Sequence, residues 1–255
     1  MDETTNGSPL PIHDKSEIRR RLNGDREWSL YALADLDDAM FPHCHWWSSG
    51  DALALVFGAL EIRPIFVLGG LEPARRLLTA LPVSAGYLNL KPDQLEAAQG
   101  LYRYRDRHEM QRMFLENFRP SQEKAEPLGA ADCEQVERLY ATGDGGIAFA
   151  AFQLDTGFFR GMRQGGELVS VAGVHVVSRN ESVAGVGNIF TRPDCRGQGL
   201  ARIVTSAVAA ALKDAGIRTI GLNVEHTNTT AMRVYERVGF RARFTYYEGM
   251  ADRIV

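Results

Sequence analysis

The stretch RPDCRGQGLA, residues 192–201, decides how this chain is interpreted. It follows an apolar run at 183–191 that predicts a strand, and Pro193 would force the chain out of that strand. From 200 to 212 apolar residues recur at spacings of three and four, which predicts an amphipathic helix ended by Gly216. The sequence therefore predicts a strand, a glycine-rich turn and a long helix in direct succession.

The glycine-rich turn has the chemistry of an anion-binding site. Gly197 and Gly199 let the backbone approach a ligand closely, and amide N–H groups at a helix N-terminus attract negative charge. A phosphate or pyrophosphate suits such a turn, although turn geometry alone would also explain the glycines.

The sequence of the turn fits two known nucleotide-binding motifs poorly. Leu200 stands where a P-loop has lysine, and Arg202 stands where a dinucleotide fingerprint has its third glycine or alanine.

The composition is that of an ordinary globular protein. Of 255 residues, 45% are hydrophobic and 24% charged, and no apolar stretch approaches the ~18 residues that cross a bilayer. Residues 1–119 carry 14 Lys/Arg and 17 Asp/Glu, and residues 120–255 carry 15 of each. Neither part has the positive charge that nucleic-acid binding needs. Three distant cysteines and a polar N-terminus indicate a cytoplasmic protein, and we expect neither a nucleic-acid nor a membrane partner.

The length suggests two domains, since about 150 residues per domain gives about 1.7 of them. The polar stretch PSQEKAEP at 120–127 predicts a linker between domains at 16–119 and 128–255, after a flexible tail at 1–15. In the first domain apolar patterns predict strands at 52–60, 62–68 and 83–90 and helices at 27–40, 72–81 and 92–99. In the second they predict strands at 158–162, 168–177, 183–191, 217–224 and 240–247 and a helix ending at 238.

Two motifs of the second domain resemble the GNAT-type N-acetyltransferase family. That family's acyl-CoA signature, Gln/Arg-x-x-Gly-x-Gly/Ala, is matched by RGQGLA at 196–201. The stretch NTTAMRVYERVGF at 228–240 resembles the family's helix that runs from an asparagine to a tyrosine and ends in Gly-Phe. The strand order on either side is also similar, and the resemblance covers about 126–250.

The resemblance implies an α/β fold with a mixed, mostly antiparallel sheet flanked by helices. A long preceding domain resembles the glycine N-acyltransferase branch, in which that domain is a smaller α/β, degenerate copy of the same layout. The acyl-CoA signature does not recur in residues 1–120. We therefore predict one acyl-CoA site, with the first domain shaping the acceptor pocket or stiffening the fold.

The resemblance also implies how acetyl-CoA would bind as a co-substrate. Amides of the turn would hold the pyrophosphate, and the end of the preceding strand would pair with the pantetheine arm and polarise the thioester carbonyl. Asn228 would hydrogen-bond the CoA arm. The predicted acetyl-CoA-binding residues are Ile189, Phe190, Thr191, Arg196, Gly197, Gln198, Gly199, Leu200, Ala201, Arg202 and Asn228.

Tyr235 is the general acid that the resemblance implies, since a phenol can protonate the leaving thiolate; a half-buried aromatic on an amphipathic helix is the alternative. The general base stays open among three residues. His175 is preferred because imidazole titrates near neutrality, although a strand histidine is often a hydrogen-bonded core residue. Glu225 is the second candidate, and Asn188 could position a water.

We predict no metal ligand, because His43-Cys44-His45 lacks a second ligand pair at a known spacing.

The predicted activity is transfer of an acetyl group from acetyl-CoA to a primary amine in a ternary complex. The acceptor is expected to be a small molecule or an amino acid. Two alternatives remain, an acetyltransferase acting on protein N-termini or lysines and a non-catalytic sensor that binds acyl-CoA. A homodimer is compatible with the sequence.

Overall fold

A computed structural model describes residues 8–143, 145–146 and 148–254. Thirteen strands lie in these ranges: β1 (Leu10–Pro11), β2 (Cys44–Ser49), β3 (Ala52–Phe57), β4 (Pro64–Leu68), β5 (Ala85–Leu90), β6 (Tyr102–Tyr104), β7 (His108–Leu115), β8 (Glu126–Leu128), β9 (Phe159–Gln164), β10 (Glu167–Ser178), β11 (Val183–Thr191), β12 (Thr219–Glu225) and β13 (Phe240–Arg253). The α-helices there are α1 (Lys15–Leu22), α2 (Leu30–Ala34), α3 (Leu71–Ala80), α4 (Pro92–Ala98), α5 (Cys133–Tyr140), α6 (Leu200–Asp214) and α7 (Thr229–Val238). None of these helices is long and apolar enough to span a membrane.

Contacts divide the chain into two units, neither of which is one continuous segment. The first unit comprises Met1–Gln111, Glu225–Thr227 and Phe244–Val255, and the second comprises Arg112–Val224 and Asn228–Arg243. The boundary after Gln111 thus comes before the linker predicted at 120–127. Those residues lie inside the second unit, where they lead into β8.

The predicted flexible tail contains ordered structure over its described part. Residues 1–7 lie outside the described residues. Leu10 and Pro11 pair with β2, and Asp14 caps α1 by accepting the Ser16 and Glu17 N–H groups.

The first unit is built on strands that pair in the order β1-β2-β3-β4-β5. Neighbouring strands are antiparallel except β4 and β5, which are parallel and joined through α3. The end of β13 adds an antiparallel neighbour to β5, from Tyr247↔Leu90 to Asp252↔Ala85. Helices α3 and α4 cover this sheet, and Leu77, Leu78 and Ala97 share one buried apolar cluster with Ile65 and Val67 of β4.

The second unit pairs its strands in the order β8-β9-β10-β11-β12. Its neighbours are antiparallel except β11 and β12, which are parallel and joined through α6. The apolar face of α6 gives this unit its core, because Val204, Val208 and Leu212 are fully buried in one cluster with Val186 and Leu222.

Both units follow the same order of elements along the chain. The first runs β1, two helices, β2-β3-β4, α3, β5, α4, and the second runs β8, α5, β9-β10-β11, α6, β12, α7. In each, a parallel pair of strands flanks the crossover helix. The connection from β11 into α6 is the predicted glycine-rich turn, so the fold places that turn beside the end of β11.

Candidate active site

The end of strand β11 has one open edge. On one side β11 pairs with β10 as far as Ser170↔Thr191, whereas its parallel pairing with β12 stops at Val186↔Leu222. Within the described chain, residues 187–191 have no recorded partner in β12. Backbone groups on this edge are therefore available to a ligand that can pair like a strand.

A β-bulge marks the point where the pairing with β12 ends. Between the pairs Val171↔Phe190 and Gly173↔Gly187 strand β11 has one more residue than β10. Asn188 lies in this bulge with φ 54°, a left-handed conformation that non-glycine residues rarely adopt.

Two amides near the end of β11 point to the open edge. The Arg192 N–H donates to Val169 O at 2.9 Å, so it faces β10. Because successive N–H groups of a strand point to opposite edges, those of Thr191 and Ile189 face away from β10. The Thr191 carbonyl accepts the Arg196 Nε–H at 3.2 Å. Ile189 and Thr191 thus present the predicted binding groups, and Phe190 faces the opposite way.

Three side chains and one backbone carbonyl of the second unit form hydrogen bonds with Asn188. The Tyr140 hydroxyl donates to Asn188 O at 2.8 Å, and the Asn188 N–H donates to His175 Nε2 at 3.2 Å. The Asn188 amide donates to Gln153 Oε1 at 3.0 Å and to Val174 O at 3.3 Å. Gln153 also donates to the His175 carbonyl at 3.1 Å. The structure therefore brings the predicted residues Asn188 and His175 together.

The environment of His175 favours a hydrogen-bond acceptor over the predicted general base. Its ring lies against Gly187, where an added Cβ would stand 2.3 Å from Nε2. Burial lowers the pKa of His175 to about 4, so the ring is neutral at pH 7. Nε2 accepts the Asn188 N–H, which places the ring proton on Nδ1. Neither nitrogen then has a lone pair free to take a proton from an amine.

The glycine-rich turn exposes amides to an approaching anion. Gly197 and Gly199 have φ of 78° and 81°, and an added Cβ at either residue would meet nothing within 4 Å. The left-handed backbone conformation therefore favours glycine at both positions, and no packing neighbour lies close to either one. Among the residues that the structure describes, no protein group accepts the N–H groups of residues 197–201. These groups lie at the start of α6, where the helix dipole attracts a phosphate.

Side chains of the turn are partly engaged with the protein. The Arg196 guanidinium lies 5.8 Å from the centroid of the Phe190 ring. Gln198 Oε1 accepts the Gln164 amide at 3.0 Å. Arg202 is half-buried in the first turn of α6, and Leu200 is buried there. Backbone amides, together with these two arginines, are the groups that fit a pyrophosphate.

Tyr235 and Asn228 lie at opposite ends of α7. Tyr235 is 8% exposed, its ring packs edge-on to Phe240, and burial raises its pKa to about 12, which keeps the phenol protonated at neutral pH. Asn228 caps the helix by accepting the Ala231 N–H at 3.0 Å. Its exposed side-chain amide still has N–H groups for a ligand.

Glu225 is separated from the other predicted residues in the division of the chain. It ends β12, is exposed and is grouped with the first unit, where its carboxylate lies 3.6 Å from His108 Nδ1. No cluster of three His, Cys, Asp or Glu side chains suited to a metal occurs among the described residues.

Tyr140 and Gln153 contact Asn188 although no sequence motif predicts a role for them. Both lie far from the motifs, 48 and 35 residues before Asn188. Neither stands in a recognisable pattern, because Tyr140 ends α5 and Gln153 lies in the short 3-10 helix Ala151–Thr156.

Comparison with known proteins agrees with this geometry. The model of the acetyltransferase (GNAT) family matches residues 107–240, just over half of the 255-residue chain. The chain belongs to the GNAT acetyltransferase family. The match includes the bulge of β11, the glycine-rich turn and Tyr235, so the proposed site of this GNAT chain lies within the family region.

Curated relatives of this GNAT chain match short stretches only. Mycothiol acetyltransferase of Actinosynnema mirum is 41% identical over 69 residues, which are 27% of this chain and 23% of the relative. The enzyme of the same name from Rhodococcus erythropolis is 46% identical over 48 residues, 19% of this chain and 16% of the relative. The chain thus matches less than a quarter of the length of either relative.

Solved structures share the fold with this GNAT chain over most of its length. A Drosophila protein superposes with a TM-score of 0.66 at 12% identity and covers 97% of this chain and 98% of its own. A GCN5-related N-acetyltransferase from Kribbella flavida gives a TM-score of 0.61 at 14% identity, covering 88% and 95%. The predicted α/β fold with a mixed, mostly antiparallel sheet is confirmed.

Proposed function

We propose that this GNAT chain transfers an acetyl group from acetyl-CoA to a primary amine of a small molecule. One observation carries the proposal: the open edge of β11 leads directly into a turn whose amides have no acceptor among the described residues. A pantetheine arm needs the first feature and a pyrophosphate needs the second, and CoA contains both groups in this order.

Binding follows from the backbone. The pantetheine amides would pair with the Ile189 and Thr191 backbone in the manner of an added strand. The pyrophosphate would accept N–H groups of residues 197–201, with Arg196 and Arg202 adding positive charge. The side-chain amide of Asn228 would donate to the CoA arm.

The transfer needs an electrophile, a nucleophile and an acid. An amine in its free-base form attacks the thioester carbonyl carbon, and the Ile189 N–H stabilises the oxyanion of the tetrahedral intermediate. The C–N bond has then formed, and the C–S bond breaks with its electron pair leaving on sulfur. The Tyr235 hydroxyl protonates the thiolate, and the surplus proton of the new amide nitrogen passes to water. Tyr235 regains its proton from solvent.

The acceptor is proposed to be a small molecule or an amino acid. The curated relatives support this choice because they are named for acetylation of a small molecule, mycothiol. Acetylation of protein N-termini or lysines and binding of acyl-CoA without turnover are the alternatives. A cytoplasmic location, a homodimer and the role of Glu225 stay predictions.

The first unit is proposed to be a degenerate copy of the second. The shared order of elements and the parallel strand pair that flanks the crossover helix in each unit support this origin. Its role in shaping the acceptor pocket or stiffening the fold stays a prediction.

The test is to measure thiol release from acetyl-CoA with a panel of amines and to identify the product by mass. Tyr235→Phe is expected to lower kcat at least about tenfold while changing the Kd of CoA by less than about twofold, since it removes one proton donor. Tyr102→Phe is the control, because it removes a buried hydroxyl that donates to Leu78 O in the first unit.

Each result has a distinct meaning. Tight CoA binding without acetylation of any amine would favour the sensor. Acetylation of protein N-termini or lysines alone would favour the protein acetyltransferase. Unchanged kcat in Tyr235→Phe would remove Tyr235 as the acid.

A further inference from the structure

We infer that Tyr140, Gln153 and His175 are positioning residues that hold the Asn188–Ile189 peptide so that its N–H points at the thioester carbonyl. The inference rests on the proposed function. It assigns the buried groups around the bulge to one task, orientation of the amide that stabilises the oxyanion.

Asn188 is held by groups from three elements. Tyr140 ends α5, Gln153 lies in the 3-10 helix Ala151–Thr156, and His175 lies on β10. Between them they bond the carbonyl, the N–H and the side-chain amide of Asn188. A residue in the left-handed region persists only where its surroundings fix it, and these hydrogen bonds fix Asn188 on its carbonyl, its N–H and its side chain.

The Tyr140 hydrogen bond acts directly on the amide that matters. Asn188 C=O and Ile189 N–H belong to one planar peptide and point in opposite directions. A hydroxyl that holds the carbonyl at 2.8 Å therefore fixes the direction of the N–H. The same bond polarises the peptide and makes its N–H a better donor.

His175 completes the arrangement as an acceptor. Its Nε2 receives the Asn188 N–H, and its carbonyl receives the Gln153 amide. Gly187 has no side chain, so the ring can lie directly against the strand it supports. With the Asn188 N–H bonded to His175, the Ile189 N–H is the first amide from the start of the bulge that faces the open edge.

Tyr140→Phe tests the inference, with Tyr102→Phe as the matched control. Both tyrosines are buried and both hydroxyls donate to a backbone carbonyl, but only Tyr140 contacts the bulge. We expect Tyr140→Phe to lower kcat about tenfold with the Kd of CoA unchanged within about twofold, and Tyr102→Phe to change neither.

A second readout does not need turnover. The infrared carbonyl band of bound [1-13C]acetyl-CoA reports the hydrogen bond to the thioester oxygen. In the wild-type chain this band is expected below its frequency in free acetyl-CoA, and Tyr140→Phe should return it toward the free value. Equal band positions in wild type, Tyr140→Phe and Tyr102→Phe would overturn the inference.

Two substitutions of His175 separate a positioning residue from a general base. His175→Gln keeps an acceptor and His175→Leu removes it, so the glutamine variant should retain several-fold more activity. The acid limb of the pH–rate profile should keep its position in His175→Gln. Loss of that limb in both variants with equal loss of kcat would identify His175 as the base and contradict the inference.

Failure of the inference and failure of the proposed function give different results. If wild type acetylates an amine while Tyr140→Phe behaves like wild type in both readouts, only the positioning role is wrong. If wild type transfers nothing but binds acetyl-CoA with a shifted carbonyl band, and Tyr140→Phe returns that band toward the free value while Tyr102→Phe does not, the positioning role stands and the transferase activity is wrong. If acetyl-CoA does not bind, both fall together.

Discussion

The imidazole of His175 lies against Gly187 and accepts a backbone N–H. This buried environment determines its pKa. A proton on Nε2 would deprive the Asn188 N–H of its acceptor and would place a charge where water is scarce. The pKa of about 4 follows from that burial. An ordinary imidazole titrates near neutrality, but burial in the fold lowers the pKa of His175 well below that range.

The lowered pKa makes stability depend on pH. Below the unfolded-state pKa of 6.5 the unfolded chain binds a proton that the folded chain does not bind until about pH 4. The stability that neutral His175 contributes is therefore complete above about pH 6.5 and is lost as pH falls toward 4, by up to about 3 kcal/mol. Thermal unfolding at pH 7.5 and pH 5 measures it, and His175→Gln is expected to lose less stability between these pH values than wild type.

The exposed His13 provides the control for that comparison, since His13→Gln also removes one imidazole. The loss between the two pH values should differ from that of wild type by more in His175→Gln than in His13→Gln. Parallel losses in wild type and His175→Gln would show that burial of His175 is not the cause.

At the scale of elements, the strongly patterned segments were predicted well. Strand β11 covers 183–191 as predicted, and α6 covers Leu200–Asp214 in agreement with its apolar spacing. Strand β7 was missed because Gln111 and Arg112 are buried in it, so no alternation of apolar and polar residues appears. The long helix predicted at 27–40 is reduced to Leu30–Ala34. Three aspartates follow that helix closely, at 35, 37 and 38, and carboxylates are unfavourable at a helix C-terminus.

The candidate site likewise has parts that the sequence predicts and parts that it does not. The glycine-rich turn, the end of β11 and the asparagine-to-tyrosine helix are contiguous motifs, so sequence could place them on their elements. The hydrogen bonds of Tyr140 and Gln153 to Asn188 join residues 48 and 35 positions apart. Contacts of that kind depend on how the strands and helices pack, and no local pattern records them.

The start of α6 carries a prediction about the turn. Gly199 and Gly216 flank this helix with φ of 81° and 78°, and neither has an atom within 4 Å of an added Cβ. Valine at either position should destabilise the chain by a similar amount, about 1–2 kcal/mol, because both backbones are left-handed. Only Gly199→Val should also weaken CoA binding, by at least about tenfold, since its side chain would stand where the pyrophosphate approaches. Calorimetric titration with CoA measures this, and equal affinity in the two variants would argue against the turn as the binding site.

At the scale of the whole molecule, the two units differ in what their equivalent strand ends contact. In the first unit, an added Cβ on Gly69, just after β4, would stand 2.6 Å from the Ala52 Cβ, so packing explains that glycine. The Val67 carbonyl accepts from Trp28 Nε1 at 2.8 Å and from Gln94 Nε2 at 3.1 Å. Side chains of the first unit therefore form hydrogen bonds with the backbone at the end of β4. The end of β11, in contrast, has an open edge.

One molecule of CoA per chain is the expected binding stoichiometry. The occupied end of β4 should exclude a second pantetheine arm, and calorimetric titration of the full chain with CoA gives the ratio directly. Gly199→Val should weaken the binding of this one CoA molecule, and no second binding step should remain in the titration. Two binding events in wild type, or one that survives unchanged in the variant, would show that the first unit also binds the ligand.

The division of the first unit into distant segments has a consequence for the nascent chain. Tyr87 of β5 is hydrogen-bonded to Glu248 of β13, and 161 positions separate them. At a translation rate of about 5–20 residues per second, β5 waits about ten to thirty seconds for this partner. Every residue of the second unit leaves the ribosome during that delay. The unit that is synthesised first is therefore the one completed last, and ribosome-bound chains should contain a folded second unit beside an unfinished first one.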